Sequence, residues 1–265
     1  SPEALRRAFE KYPDAKAVIV VNLYGFPAKL CEISEICKEH GAVLIEDAAE
    51  SLGASYRGIK AGTFGEMSIL SFNGNKIITT SGGGMLLSKN EEHVKRARFL
   101  STQAREPERH YEHKEIGYNY RMSNIVAGIG RGQLKTLDEY VARKKKIFMT
   151  YQEAFSDIPE IEMMPKLPDG EPNYWLSCFT LKEGSPVTPL MLMEAMDKEN
   201  MESRPIWKPM HLQPVFSECD FISQKEDGSV AEDIFKRGIC LPSDIKNTEE
   251  DMERIIHVIK ECFKC

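Results

Sequence analysis

Lys76 is the residue whose setting most clearly suggests chemistry. It follows an apolar run at residues 67–72 and the small polar approach Asn73-Gly74-Asn75, and it precedes Ser81-Gly82-Gly83-Gly84. Glycines at such a turn let the backbone adopt positive φ or pass close to a ligand. Lysines that form Schiff bases with carbonyl groups occupy desolvated, sterically defined places of this kind. The competing reading is a solvated lysine beside an ordinary glycine turn.

Asp47 is the second such residue. It ends an otherwise aliphatic run, residues 42–47, and ligands of open α/β sheets gather at the carboxyl ends of strands. If Lys76 holds pyridoxal phosphate (PLP), an aspartate is the expected partner of the pyridine nitrogen, keeping the ring protonated and electron-withdrawing. Alternatively Asp47 caps a helix beginning at Ala48. No metal site is expected. His110 and His113 lie three apart in a charged segment without a ligand signature, and Cys262 and Cys265 form a C-x-x-C at a helix end, where the dipole disfavours a thiolate.

The elements that position these residues read as α/β. The runs at 17–23 and 42–47 are nearly continuous aliphatic segments, the pattern of parallel strands buried on both faces. Between them Leu30, Ile33, Ile36 and Cys37 follow helical spacing and Gly41 closes the helix, a β-α-β unit with an expected right-handed crossover. Strands at 67–72 and 85–88 and a helix over about 91–100 continue the layer. From Ser123, a candidate N-cap, an amphipathic pattern runs through Leu134, Leu137, Tyr140, Phe148, Tyr151 and Phe155, long enough to bridge two domains. A turn-rich stretch at 159–172 then leads to a small α+β domain, with strands at 174–181 and near 202–204, a helix after Thr188-Pro189, and a last helix from Thr248 with Asp251 completing a capping box. The expected domains are 1–158 and 159–265.

Composition narrows the class. The 265 residues are 42% hydrophobic, with a net charge of −6 and seven scattered cysteines. No run approaches the ~20 apolar residues of a membrane span, and no basic block carries interleaved aromatics. Nucleic acid and membrane are therefore not expected partners, and the odd, dispersed cysteines fit a reduced cytoplasm.

Four ordered segments carry a family resemblance: Glu46-Asp47-Ala48-Ala49-Glu50-Ser51-Leu52-Gly53-Ala54, Gly62-Thr63-Phe64-Gly65, Ser71-Phe72-Asn73-Gly74-Asn75-Lys76 and Gly117-Tyr118-Asn119-Tyr120-Arg121-Met122. Together they resemble the signatures of the DegT/StrS sugar aminotransferases. The likeness extends through residues 202–214, Glu-Ser-Arg-Pro-Ile-Trp-Lys-Pro-Met-His-Leu-Gln-Pro. That motif and the Asn-Gly-Asn before the lysine are most similar to the branch that aminates UDP-4-keto-6-deoxy-N-acetylglucosamine on the way to bacillosamine-type sugars.

The resemblance implies an aspartate aminotransferase-like, fold type I PLP-dependent transferase, here a partial large domain with a mostly parallel sheet plus the small C-terminal domain. It implies that Lys76 carries PLP covalently and later shuttles a proton, that Asp47 pairs with the pyridine nitrogen, and that Ser71 holds the cofactor phosphate. Asn119 would reach the phosphate of a neighbouring subunit's cofactor, making a homodimer with a shared active site. Glu50 stands where many relatives carry glutamine beside the ring hydroxyl, and Asn73 replaces a common histidine. Arg121 and His211 are candidates for substrate recognition, although Arg121 could simply pair with a carboxylate and His211 pack in a loop. The implied reaction moves an amino group from glutamate to a 4-keto nucleotide sugar for surface glycan biosynthesis. The family's small-residue phosphate loop and ring-stacking aromatic have no match here. The expectation is thus that the chain lacks the family's N-terminal third and by itself binds PLP weakly or not at all. An inactive fragment or an assembly module of the same fold is the alternative, while a sugar dehydratase is disfavoured because that branch replaces the lysine.

Overall fold

The computed structural model describes residues 1–225 and 228–264. Cys265, one half of the C-x-x-C, lies outside them. The chain forms two compact units. One comprises residues 14–141 and 167–173, and the other residues 1–13, 142–166 and 174–265. The latter begins with helix α1 (Pro2–Lys11), capped by the Ser1 hydroxyl.

In the first unit, β1 (Ala17–Val21), α2 (Leu30–Glu39) and β2 (Val43–Asp47) form the β-α-β unit, with β1 and β2 parallel from Ala17 opposite Val43 to Val21 opposite Asp47. The α2 stripe of Leu30, Ile33, Ile36 and Cys37 is buried, and Gly41 closes the helix at φ +65°. Burial also pushes the Cys37 thiol up. The short pair β3 (Ser55–Tyr56) and β4 (Ile59–Lys60) follows, and then β5 (Met67–Ser71) lies parallel to β2 while β6 (Gly84–Leu87) returns antiparallel to β5. The sheet order is β1-β2-β5-β6. Helices α3 (Glu91–Ser101) and α4 (Asn124–Leu134) complete the unit, and α5 (Leu137–Ala154) leaves it.

Three features depart from the sequence reading. The strands are buried on one face only. Val20, Leu44, Glu46 and Ser68 are buried, whereas Ile19 (67% exposed), Val21 (46%) and Ile69 (40%) lie exposed on the opposite face. No helix starts at Ala48. The chain makes a turn there, and the Asp47 carboxylate accepts the Ala49 N–H at 3.1 Å. The long amphipathic pattern is two helices, because the chain breaks at Lys135-Thr136, where the Thr136 hydroxyl donates back to the Gln133 carbonyl.

The second unit is a four-stranded antiparallel sheet with helices. Its strands β7 (Ile161–Met163), β9 (Ser177–Leu181), β10 (Arg204–Pro205) and β11 (Gly238–Leu241) follow the order β10-β11-β9-β7. The stretch at 159–172, expected to be turns, supplies β7 here and, within the first unit, β8 (Gly170–Glu171), which pairs with β3. Helices α6 (Pro189–Lys198), α7 (Val230–Arg237) and α8 (Glu249–Glu261) accompany the sheet. The core gathers Tyr151 of α5 and Phe155 just after it with Phe179, Leu181, Leu192, Met196, Ile239, Ile255 and Ile259. Cys178 and Cys240 face each other across β9 and β11, sulfurs 3.4 Å apart.

Candidate active site

Strand alternation sorts the two carboxylates at the end of β2 to opposite faces. Glu46 points inward and is fully buried, accepting hydrogen bonds from Asn22 Nδ2 (2.9 Å), Gly62 N–H (2.7 Å) and Phe64 N–H (2.9 Å). A buried carboxylate with three donors is satisfied, so Glu46 acts as a structural clamp on the 62–64 loop. Gly65 beside it is required. A Cβ there would sit 2.4 Å from the Met67 carbonyl and 2.9 Å from the Glu46 N–H.

Asp47, on the other face, is only partly buried. Its Oδ1 accepts the Ala49 N–H, and its Oδ2 has no hydrogen-bond partner among the described residues. Ser71 ends the neighbouring parallel strand β5, and its hydroxyl accepts the Asn73 N–H at 3.3 Å.

Lys76 sits in the connection from β5 to β6. Its backbone N–H donates to the Asn73 carbonyl, and residues 72 and 80–83 tie the connection closed through Phe72 N–H to Gly83 and Thr80 N–H to the Phe72 carbonyl. The glycines have separate duties. Gly83 adopts φ +94°, while a Cβ on Gly84 would stand 2.6 Å from the Leu70 carbonyl of the paired strand. The Lys76 side chain is 12% exposed and its Nζ lies 3.6 Å from Oε1 of Glu50, itself 6% exposed. Burial pushes the Glu50 carboxyl above its usual range. Nearby Asp47 adds to this, while the Tyr24 N–H and Lys76 oppose it.

Glu50 is held from behind. Its Oε2 accepts the Tyr24 N–H at 2.6 Å, with Tyr24 at φ +56° and Gly25 at +86° in the turn after β1. The fully buried Asn173 donates through Nδ2 to the carbonyls of Glu50 (2.7 Å) and Leu52 (2.9 Å), and its own N–H donates to the Gly25 carbonyl.

The other candidates lie elsewhere. Asn119 and Arg121 line a cleft of about 520 Å³ with residues that include Thr102, Gln103 and Arg105. Asn119 forms a β-bridge with Thr102, and Gly117 packs where a Cβ would meet the Ala104 nitrogen at 2.2 Å. Asn73 is exposed, its amide 3.4 Å from the Asn75 side chain. His211 belongs to the other unit. Its Nε2 is 3.0 Å from Glu232 Oε1, and its ring stacks on Phe221 at 3.6 Å. Lys76, Glu50, Asp47 and Ser71 thus share one region of the sheet's carboxyl edge, and Asn119 and Arg121 share another. Among the described residues no cluster of three or more histidine, cysteine or carboxylate groups could hold a metal ion.

Glu46, Tyr24 and Asn173 were not singled out by sequence. Glu46 could have been, as a carboxylate inside an aliphatic strand. Asn173 could not, since its partners are more than 100 residues away.

The shielded Lys76 amine and the carboxylates of Glu50 and Asp47 thus lie at the carboxyl edge of an α/β sheet. Residues 1–260 match the DegT/DnrJ/EryC1/StrS aminotransferase family, and the chain belongs to that family of PLP-dependent enzymes. It is 50% identical to the Bacillus subtilis (strain 168) protein named "Putative pyridoxal phosphate-dependent aminotransferase EpsN", over 99% of this chain and 68% of that one. It is 34% identical to the GDP-perosamine synthase of Caulobacter vibrioides (strain ATCC 19089 / CIP 103742 / CB 15), over 94% of this chain and 66% of that protein. The crystal structure of the aminotransferase TlmJ from Streptoalloteichus hindustanus superposes with a TM-score of 0.86 at 25% identity, covering 98% of this chain and 69% of that one. The chain thus spans about two thirds of the length of these proteins. Among the described residues, no helix is long and apolar enough to cross a membrane.

The donor set fits PLP. It offers a primary amine for the carbonyl, a carboxylate oxygen with no hydrogen-bond partner among the described residues for a protonated pyridine nitrogen, and a hydroxyl at an adjacent strand end for a phosphate.

Proposed function

We propose that this chain carries the lysine-bearing part of a nucleotide-sugar aminotransferase. The observation that carries this reading is the shielded Lys76 amine facing Glu50, with Asp47 ending the adjacent strand β2, in a chain of this family. Lys76 would bind PLP through Nζ, Asp47 would hold the pyridine nitrogen through Oδ2, Glu50 would lie beside the ring, and Ser71 would accept the phosphate. Bound there, PLP supplies the electron sink that lets an amino group pass between a donor and an acceptor carbonyl.

The chain's own residues then have separable tasks. Asp47 keeps a negative charge at the ring nitrogen. Lys76, once released from the cofactor, would take a proton at Nζ and deliver it to a second carbon within the same half of the reaction, and would move one the opposite way in the reverse half, as a general acid/base. Its low exposure limits proton loss to bulk water. Arg121 makes no hydrogen bond or ion pair among the described residues and is suited to an anionic group of a substrate. Asn119 in the same cleft would contribute to the site of a second copy, so the working form is a homodimer. His211 would contact the sugar.

The amino donor in this reading is glutamate, and the acceptor a 4-keto nucleotide sugar, UDP-4-keto-6-deoxy-N-acetylglucosamine. The relative named GDP-perosamine synthase supports a nucleotide-linked sugar without fixing the nucleotide. The test is an absorption titration with PLP followed by glutamate, with Lys76→Ala alongside, and then product analysis with UDP- and GDP-linked 4-keto sugars. A Lys76-dependent band that bleaches with glutamate, and amination of the UDP-sugar, support the reading. A glutamate response that survives Lys76→Ala overturns the lysine's role, and amination of the GDP-sugar alone overturns the substrate.

A further inference from the structure

We propose that Glu50 is the counter-ion of Lys76, stabilising the proton that the released amine takes up on Nζ until it is delivered, and that Tyr24, Gly25 and Asn173 are the residues that position it. This deepens the reading of Lys76 as the reactive amine and rests on it.

Four observations converge. The Lys76 and Glu50 side chains are both shielded, and Nζ to Oε1 is an ion-pair distance, 3.6 Å. Glu50 spends its other oxygen on the Tyr24 N–H at 2.6 Å, so Oε1 is the oxygen turned to the lysine. The donor is presented by a turn with two successive residues at positive φ, Tyr24 and Gly25. Asn173 fixes both sides of this contact. Its side chain binds the Glu50 and Leu52 carbonyls, its backbone binds the Gly25 carbonyl, and its Oδ1 occupies the place of any Gly25 Cβ, at 1.8 Å. A carboxylate held this firmly cannot swing away when the lysine moves.

A glutamine at position 50 could match the shape but not the charge. With glutamate, the released lysine is stabilised as an ammonium and stores the proton that it later delivers. In that delivery an Nζ–H bond breaks as the acceptor's bond to hydrogen forms, and Glu50 remains an anion. The charged groups facing Glu50 are Lys76 and, more weakly, Asp47.

The experiment uses cofactor-free protein, so a chain that takes up no PLP still reports on the pair, and failure here is distinct from failure of the aminotransferase reading. Labelling of Lys76 by fluorodinitrobenzene is followed against pH by peptide mass spectrometry. Removing a nearby opposite charge shifts a titration by about one unit or more, so Glu50→Gln is expected to label about tenfold faster below the wild-type midpoint. Asn173→Ser is expected to move the same way by less. An unchanged midpoint in Glu50→Gln overturns the pairing, and a folded Asn173→Ser that labels like wild type overturns the positioning role. The reciprocal measurement leaves the buried clamp intact. The Tyr24 amide shift follows Glu50 titration, and its midpoint is expected to rise in Lys76→Ala. No rise would overturn the proposal.

Discussion

Gly25 shows how much one residue of this site is constrained. It combines φ +86° with a neighbouring Asn173 oxygen that would lie 1.8 Å from an added Cβ. Gly25→Ala is therefore expected to cost about 2–4 kcal/mol of stability, read as a lower urea midpoint. A smaller loss, below about 1 kcal/mol, would mean that the clamp gives way easily. At this scale the sequence was most readable where residue type and local motif coincide. Lys76 sits in a polar-small and glycine context, and Asp47 is an acid ending an aliphatic strand. What stayed hidden depends on distant partners. Nothing near Asn173 announces that it will hold Glu50, and Glu46 and Asp47 are adjacent in sequence yet differ in task because alternate residues of a strand face opposite ways.

At the scale of elements, the helices with caps and apolar stripes were legible. The Thr248–Asp251 capping box of α8 is present in full. Thr248→Ala should lower stability by about 1 kcal/mol in chemical denaturation, with Thr248→Asp recovering most of it. Lys144 on α5 was not legible as anything but a helix-face lysine, yet it is buried, with Nζ donating to the carbonyls of Trp175 (3.0 Å) and Ser243. Burial pulls its amine down to about 8 from 10.5, with Asp244 opposing the shift. Because the folded state releases this proton first, Lys144 imposes its full penalty below pH ~8. Stability contributed at this site rises from there to about pH 10.5, by up to about 3 kcal/mol, since a neutral amine still has donors for both carbonyls. Unfolding free energy measured from pH 7.5 to 10.5 should show that rise and lose it in Lys144→Met. An equal rise in the variant would assign it to other groups. The pairing of β7, β9, β10 and β11 was less accessible, because β10 has two residues and β7 three, too few to show a period.

For the molecule as a whole, the α/β architecture follows from the strand and helix patterns and the family from four motifs in order, and the superposition on TlmJ and the match over residues 1–260 bear them out. Burial of the sheet was harder to foresee, since an aliphatic run looks the same whether one face or both are covered. The exposed Ile19, Val21 and Ile69 should make the isolated, folded chain bind ANS, and Val21→Lys with Ile69→Lys should reduce that fluorescence without lowering the melting temperature. Equal fluorescence in the double variant would place the apolar patch elsewhere. The claim on which the whole reading depends is that Lys76, among the chain's many lysines, is the one that meets PLP. Incubation of the chain with PLP, borohydride reduction and peptide mapping test it directly. The expected result is a reduced PLP adduct on Lys76 ahead of every other lysine, and adducts on exposed lysines with Lys76 unmodified would contradict it.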